Sequence, residues 1–198
     1  MSRFVGLLIA SFVMLLLWSP NSFAVSLGAY VDGAVGSGDA EWDRDNNSFD
    51  IDSRTFAVGF VLDTATTNER VFNYRLNLGY VRHYFEDNND NTIKTNGMYA
   101  ENIFGFAMVR KENFRWWAGP LLRVGYLSGD GPNGNDFKFA EFGVGAVTGL
   151  NFKVGNAILS PSLGFRYCGY GGEGSRGGGD EDIQQSTRNV FANFALLF

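Results

Sequence analysis

From Leu27 onward the chain repeats one pattern: apolar side chains at every second position, then a polar break. A period of two belongs to a β-strand, whose successive side chains point to opposite faces. The first run is Leu27, Ala29, Val31, Gly33 and Val35; the second is Phe56, Val58, Phe60 and Leu62. In the third, Phe72, Tyr74, Leu76, Leu78 and Tyr80 alternate with Asn73, Arg75, Asn77, Gly79 and Val81. The fourth, Tyr99 to Val109, puts Ala100, Phe104, Phe106 and Met108 on one face. Asn102 shares that face and spoils it, which predicts a bulge or register shift there. A fifth run spans Phe114 to Tyr126, a sixth Ala140 to Leu150 and a seventh Leu159 to Tyr167. The eighth is Val190, Ala192, Phe194, Leu196 and Phe198.

The breaks alternate in length. Long polar segments centre on 37–53, 86–96, 128–137 and 171–186, and short ones on 63–70, 111–113 and 154–156. Each apolar run extends over about 10–12 residues, enough for a tilted strand to cross a hydrocarbon core. An even number of such strands, with long connections on one side and short ones on the other, predicts an all-β fold. Its form is an eight-stranded antiparallel up-and-down transmembrane β-barrel, with the four long segments as extracellular loops. Pro120 and Pro161 fall inside runs, so they are expected at bulges or ladder ends.

The first 24 residues read differently. Arg3 precedes an apolar run from Phe4 to Trp18, which Ser19-Pro20-Asn21 breaks and Ser22-Phe23-Ala24 follows. This is the layout of a signal peptide cleaved after Ala24, leaving 25–198 as the barrel domain in the outer membrane of a Gram-negative-type cell. The apolar run is shorter than the roughly 20 residues of a spanning helix. With 16 basic against 21 acidic residues and a net charge of −5, there is no basic face for a nucleic-acid partner. The single Cys168 leaves no internal disulfide to form. Aromatics at both ends of the runs, Phe72, Tyr74, Phe114, Trp116 and Phe198 at one and Tyr80, Tyr126 and Tyr167 at the other, read as interfacial girdles. The competing architecture is a soluble sandwich with those rings in its core.

The opposite parity carries charge: Asp32, Arg75, Glu101, Arg123, Glu141 and Arg166. Eight strands leave an interior just wide enough to be filled by side chains. The alternation of sign from the third to the seventh strand predicts a lattice of lumen salt bridges with Gly residues making room beside it. Such a lattice either fills and fixes the barrel or, by switching partners, gates a narrow ion path. The one His, His83, lies at an outer strand end with no Ser beside it, a weak basis for catalysis. Asp43, Asp45, Asp50, Asp52, Asp87, Asp90, Asp130 and Asp136 lack the spacing of a Ca²⁺ loop and read as solvated loop acids. Trp42 and Phe49, aromatic in a polar segment, are candidate contact anchors or rim-packing residues. The glycines at 177–179 predict a mobile fourth loop. No cofactor is expected.

Taken together, the leader, the eight runs, the acidic segments, the charged interior and the ending Phe194-Ala195-Leu196-Leu197-Phe198 resemble the small OmpA-like and OmpX-like outer-membrane barrels. The resemblance implies the barrel architecture, and it implies that Phe198 is the signal read by the barrel-assembly machinery. It does not choose among the adhesins, narrow channels and lipid enzymes built on that fold. The expected function is a surface-interaction scaffold presenting four acidic loops. The alternatives are a narrow channel gated by lumen charge pairs and, more weakly, a lipid-modifying enzyme. Expected partners are outer-membrane lipid and lipopolysaccharide, the assembly machinery, and an extracellular ligand at the loops.

Overall fold

The computed structural model describes residues 25–42, 47–66, 70–87, 92–130, 136–176 and 179–198. Residues 1–24, expected to be a signal peptide, lie outside these residues. The strands are β1 (Ser26–Trp42), β2 (Asn47–Asp63), β3 (Phe72–Asp87), β4 (Thr92–Lys111), β5 (Phe114–Asp130), β6 (Asp136–Val154), β7 (Ala157–Arg176) and β8 (Gly179–Leu197). Each pairs antiparallel with its neighbours in sequence, and β8 returns to β1 to close the barrel. The seam ends on a reciprocal pair of backbone hydrogen bonds: Leu27 N donates to Phe198 O at 3.2 Å, and Phe198 N to Leu27 O at 2.8 Å. Two-residue turns join β4 to β5 and β6 to β7, the latter with Gly155 at φ +63°, a conformation that suits Gly.

Outward residues of the eight apolar runs form an exposed belt, from Leu27, Phe60 and Phe72 at one end to Val35, Phe56, Tyr80, Met98, Tyr126, Tyr167 and Val190 at the other. Tyr74 departs from the girdle expected of it. It is buried, with its hydroxyl donating to Asn102 Oδ1 and its ring 5.6 Å from that of Phe104. That hydrogen bond also explains Asn102. It keeps regular register with Leu76 and Leu122, and the β4 bulge falls instead between Ala107 and Val109. Pro120 and Pro161 each sit at a gap in one ladder, against β4 and β6 respectively, while pairing on their other side.

The larger correction concerns the long segments. They are not loops over most of their length, because the strands run 16 to 20 residues and continue well beyond the belt. Residues 37–42 and 47–53 are the upper halves of β1 and β2, and 171–176 and 179–186 those of β7 and β8. Beyond the belt the alternation persists but inverts. Ser48, Asp50, Asp52, Asp136 and Lys138 point out, while Ile51, Phe85, Phe137, Phe139, Tyr170 and Ile183 are buried inside. The tips at 43–46, 88–91, 131–135 and 177–178, with Asp43, Asp45, Asp90 and two of the three glycines, lie outside the described residues.

Candidate functional site in the barrel interior

The interior follows from the inward parity of single strands. Up β5 the inward residues are Arg115, Trp117, Gly119, Leu121, Arg123, Gly125 and Leu127, and the lumen is layered in that order.

At the turn end the interior is filled by a polar cap. Asp63 accepts hydrogen bonds from Ala65 N at 3.0 Å, from Asn73 Nδ2 at 3.2 Å and from Arg75 Nε at 2.9 Å. Arg75 also donates to Ser160 Oγ at 2.8 Å and lies 4.6 Å from the Trp117 ring centroid. Asn151 Oδ1 accepts from Trp117 Nε1 and Ser160 Oγ, while Asn151 Nδ2 donates to Thr66 O in the β2–β3 connection. Arg115 donates to the carbonyls of Arg70 and Val71, so this connection is drawn onto the barrel mouth.

Above a small apolar cluster of Ile103, Trp117, Leu121, Val147 and Phe191 lies a chain of five charges. Arg166 meets Asp32 at 2.9 Å and Glu101 at 3.3 Å, and Arg123 meets Glu141 at 2.8 Å and Glu101 at 3.8 Å. Asn77 donates to Glu101 at 3.1 Å. The guanidinium carbon of Arg123 sits 3.5 Å from the Tyr99 ring centroid, and that of Arg166 is 4.7 Å from Phe191. Such stacking is available to a planar, weakly hydrated cation. Each of these five charges is 3 % exposed or less. Glycine provides the room: a Cβ on Gly125 would lie 2.7 Å from Glu141 Oε2, and one on Gly143 would lie 2.9 Å from the Sγ of the buried Cys168.

Over these charges, the upper halves of the strands supply an apolar plug of Ala40, Ile51, Phe85, Leu127, Phe137, Phe139, Tyr170 and Ile183. Phe49, a candidate surface contact, packs partly buried against this plug, and Trp42 is the last residue of β1, in register with Asn47 and Ile183. His83 is buried against the plug's underside, stacked on Phe85 with ring centroids 5.4 Å apart. A hydroxyl does reach it from across the strand: Thr55 Oγ1 is 3.2 Å from Nδ1.

No protein-family model matches the chain, and no curated protein matches its sequence. Solved structures do resemble it. The outer membrane protein OprG from Pseudomonas aeruginosa superposes with a TM-score of 0.62 at 8% identity, over 88% of this chain and 95% of that one. The fold is that of a small outer-membrane barrel. Neisserial surface protein A is also similar, at 14% identity, with a TM-score of 0.39 over 83% of this chain and 95% of that one.

Within this outer-membrane-type barrel, five of the six candidate lumen charges join one network, and Arg75 does not. Its cross-strand neighbour in register is Asp63, which takes it into the cap instead. Asp63 escaped notice because it opens a polar run and reads as the start of a connection. It nonetheless continues the inward parity of Val61, and that was the available signal. Arg115, Asn151 and Ser160 are likewise on inward parity, but nothing in one-dimensional spacing indicates that they converge. Among the described residues, no three His, Cys, Asp or Glu side chains are grouped as a metal site requires.

Proposed function

We propose that this protein is an outer-membrane scaffold with a sealed lumen, whose working surface is the outside of the barrel wall and the hairpin tips. The single observation that carries this reading is the burial of the interior charges between the plug and the cap. A conducting pore of this width would need charged groups wetted along a continuous path. Here each of the five network charges instead lies within 3.3 Å of an opposite charge, the arrangement in which buried charge is tolerated, while Asp32 Oδ2, Glu141 Oε2 and the terminal nitrogens of Arg123 make no hydrogen bond. The exposed apolar belt and the fold likeness support placement in the outer membrane, with the short turns on the periplasmic side. Phe198, hydrogen-bonded at the seam, remains the proposed contact of the assembly machinery. An enzyme acting on lipid is disfavoured because His83, the one imidazole, is buried and stacked on Phe85 inside the barrel.

A planar-bilayer recording tests the reading. Purified protein is expected to give no discrete conductance, and Arg123→Ala is expected to give none either, because the plug and cap remain. Discrete openings in the wild type that vanish or change size in Arg123→Ala would establish the gated channel instead.

A further inference from the structure

The wall beyond the belt is not uniform in charge. Just above the last apolar ring, three adjacent strands carry Arg54 (β2), Arg82 (β3) and Lys94 (β4), all pointing outward. Register fixes their arrangement. Arg54, Tyr84 and Lys94 form one row across the three strands, and Phe56, Arg82 and Asn96 form the row below it. Arg54 and Lys94 are therefore two strands apart, roughly 10 Å, with Arg82 beneath and between them. Arg82 Nε donates to Asn96 Oδ1 at 2.8 Å, which orients the guanidinium and leaves its terminal N–H groups for another acceptor. Arg54 touches Glu86 only at 4.0 Å, and both side chains are well exposed, a contact of little strength. A shallow cavity of about 380 Å³ lies here, lined by Asp52, Arg54, Phe56, Tyr84, Glu86 and Lys94. Directly below, Phe56, Tyr80 and Met98 face outward as part of the belt. Lys94 is in register with Asp130 on its other side, as Lys138 is with Glu173, and Arg188 lines a separate cavity with Asp39, Asp50 and Asp52; what sets Arg54, Arg82 and Lys94 apart is that they stand on three adjacent strands.

We infer that Arg54, Arg82 and Lys94 form a binding site for the phosphate groups of an outer-leaflet phosphorylated glycolipid, of which lipopolysaccharide is the chemical type. The inference rests on the outer-membrane placement proposed above. A lipid anion is favoured over a soluble one because the three cations sit at the height where headgroups meet the belt, with apolar side chains beneath to receive acyl chains. Guanidinium groups pair with phosphate through charge-assisted hydrogen bonds. Asp52 and Glu86 share the cavity with Arg54 and Lys94, while Arg82 lies in the row below it, and an arriving phosphate displaces Glu86 from Arg54.

The test titrates the purified full-length protein, in detergent micelles, with bisphosphorylated lipid A or with the same lipid after removal of its phosphates. Bound lipid is counted by native mass spectrometry. Wild type is expected to prefer the phosphorylated lipid by tenfold or more, about the effect of one charge-assisted hydrogen bond. Arg54→Gln/Arg82→Gln/Lys94→Gln is expected to lose that preference while keeping the heat-resistant folded band on a gel. Lys138→Gln is expected to retain it, and excess inorganic phosphate is expected not to compete. Equal binding of the two lipids by wild type would overturn the inference, as would a preference surviving in the folded triple variant or lost equally in Lys138→Gln. Displacement by inorganic phosphate would overturn the lipid assignment and mark a site for free anions.

Discussion

Arg123 bonds Glu141, approaches Glu101 and covers the Tyr99 ring, so removing its charge exposes two carboxylates to a low-dielectric interior. Breaking a buried pair from one side costs about 3–5 kcal/mol, whereas replacing both members with well-packed apolar groups is often neutral. Arg123→Met should therefore lower the free energy of unfolding, measured by urea titration in lipid vesicles, by that order, and Arg123→Met/Glu141→Leu should recover much of it. A double variant no better than the single one would show that the pair has no such coupling. Parity alone placed all six lumen charges on the inner face, because in a two-residue period facing is decided locally. Their partners were not legible. Alternating signs along five strands implied one continuous lattice, but a cross-strand contact depends on register, and register put Arg75 opposite Asp63 rather than beside Glu101.

The strand is the scale at which the sequence misled most. The segments 37–53 and 128–137 look like loops because polar residues abound there, yet Ser48 to Asp52 and Asp136 to Lys138 keep a strict alternation. Which face is apolar reverses where the wall leaves lipid for water, so a search for outward-facing apolar residues loses the strand at the boundary. The reversal changes what a loop deletion means. Removing 37–53 takes away Ala40, Phe49, Ile51 and the buried Ser53, whose hydroxyl bonds Asn189 at 2.6 Å. Such a deletion should destabilise the whole barrel, read as a lower temperature for loss of the compact gel band. Removal of the tip 43–46 alone should leave that temperature within a few degrees of wild type. A robust barrel lacking 37–53 would show that the plug contributes little to stability.

For the whole molecule, strand number, antiparallel order and closure between first and last strands were all legible, because each follows from counting runs and breaks. The packing of the interior was not, since it depends on side chains from seven strands meeting in the apolar plug and on Arg115 and Asn151 reaching the carbonyls of Thr66, Arg70 and Val71. That burial gives the single thiol a use beyond its packing. Cys168 lies wholly within the wall of side chains, beside Arg123 and beneath Tyr170 along its own strand. A maleimide added from outside can reach the sulfur only when the barrel opens, so the alkylation rate is a clock for that opening. Native protein in vesicles should label far more slowly than urea-unfolded protein, and Arg123→Met should label faster than wild type at equal maleimide concentration. Prompt labelling of the native barrel would mean that the interior breathes on the timescale of the reagent, and the sulfur would then measure how often.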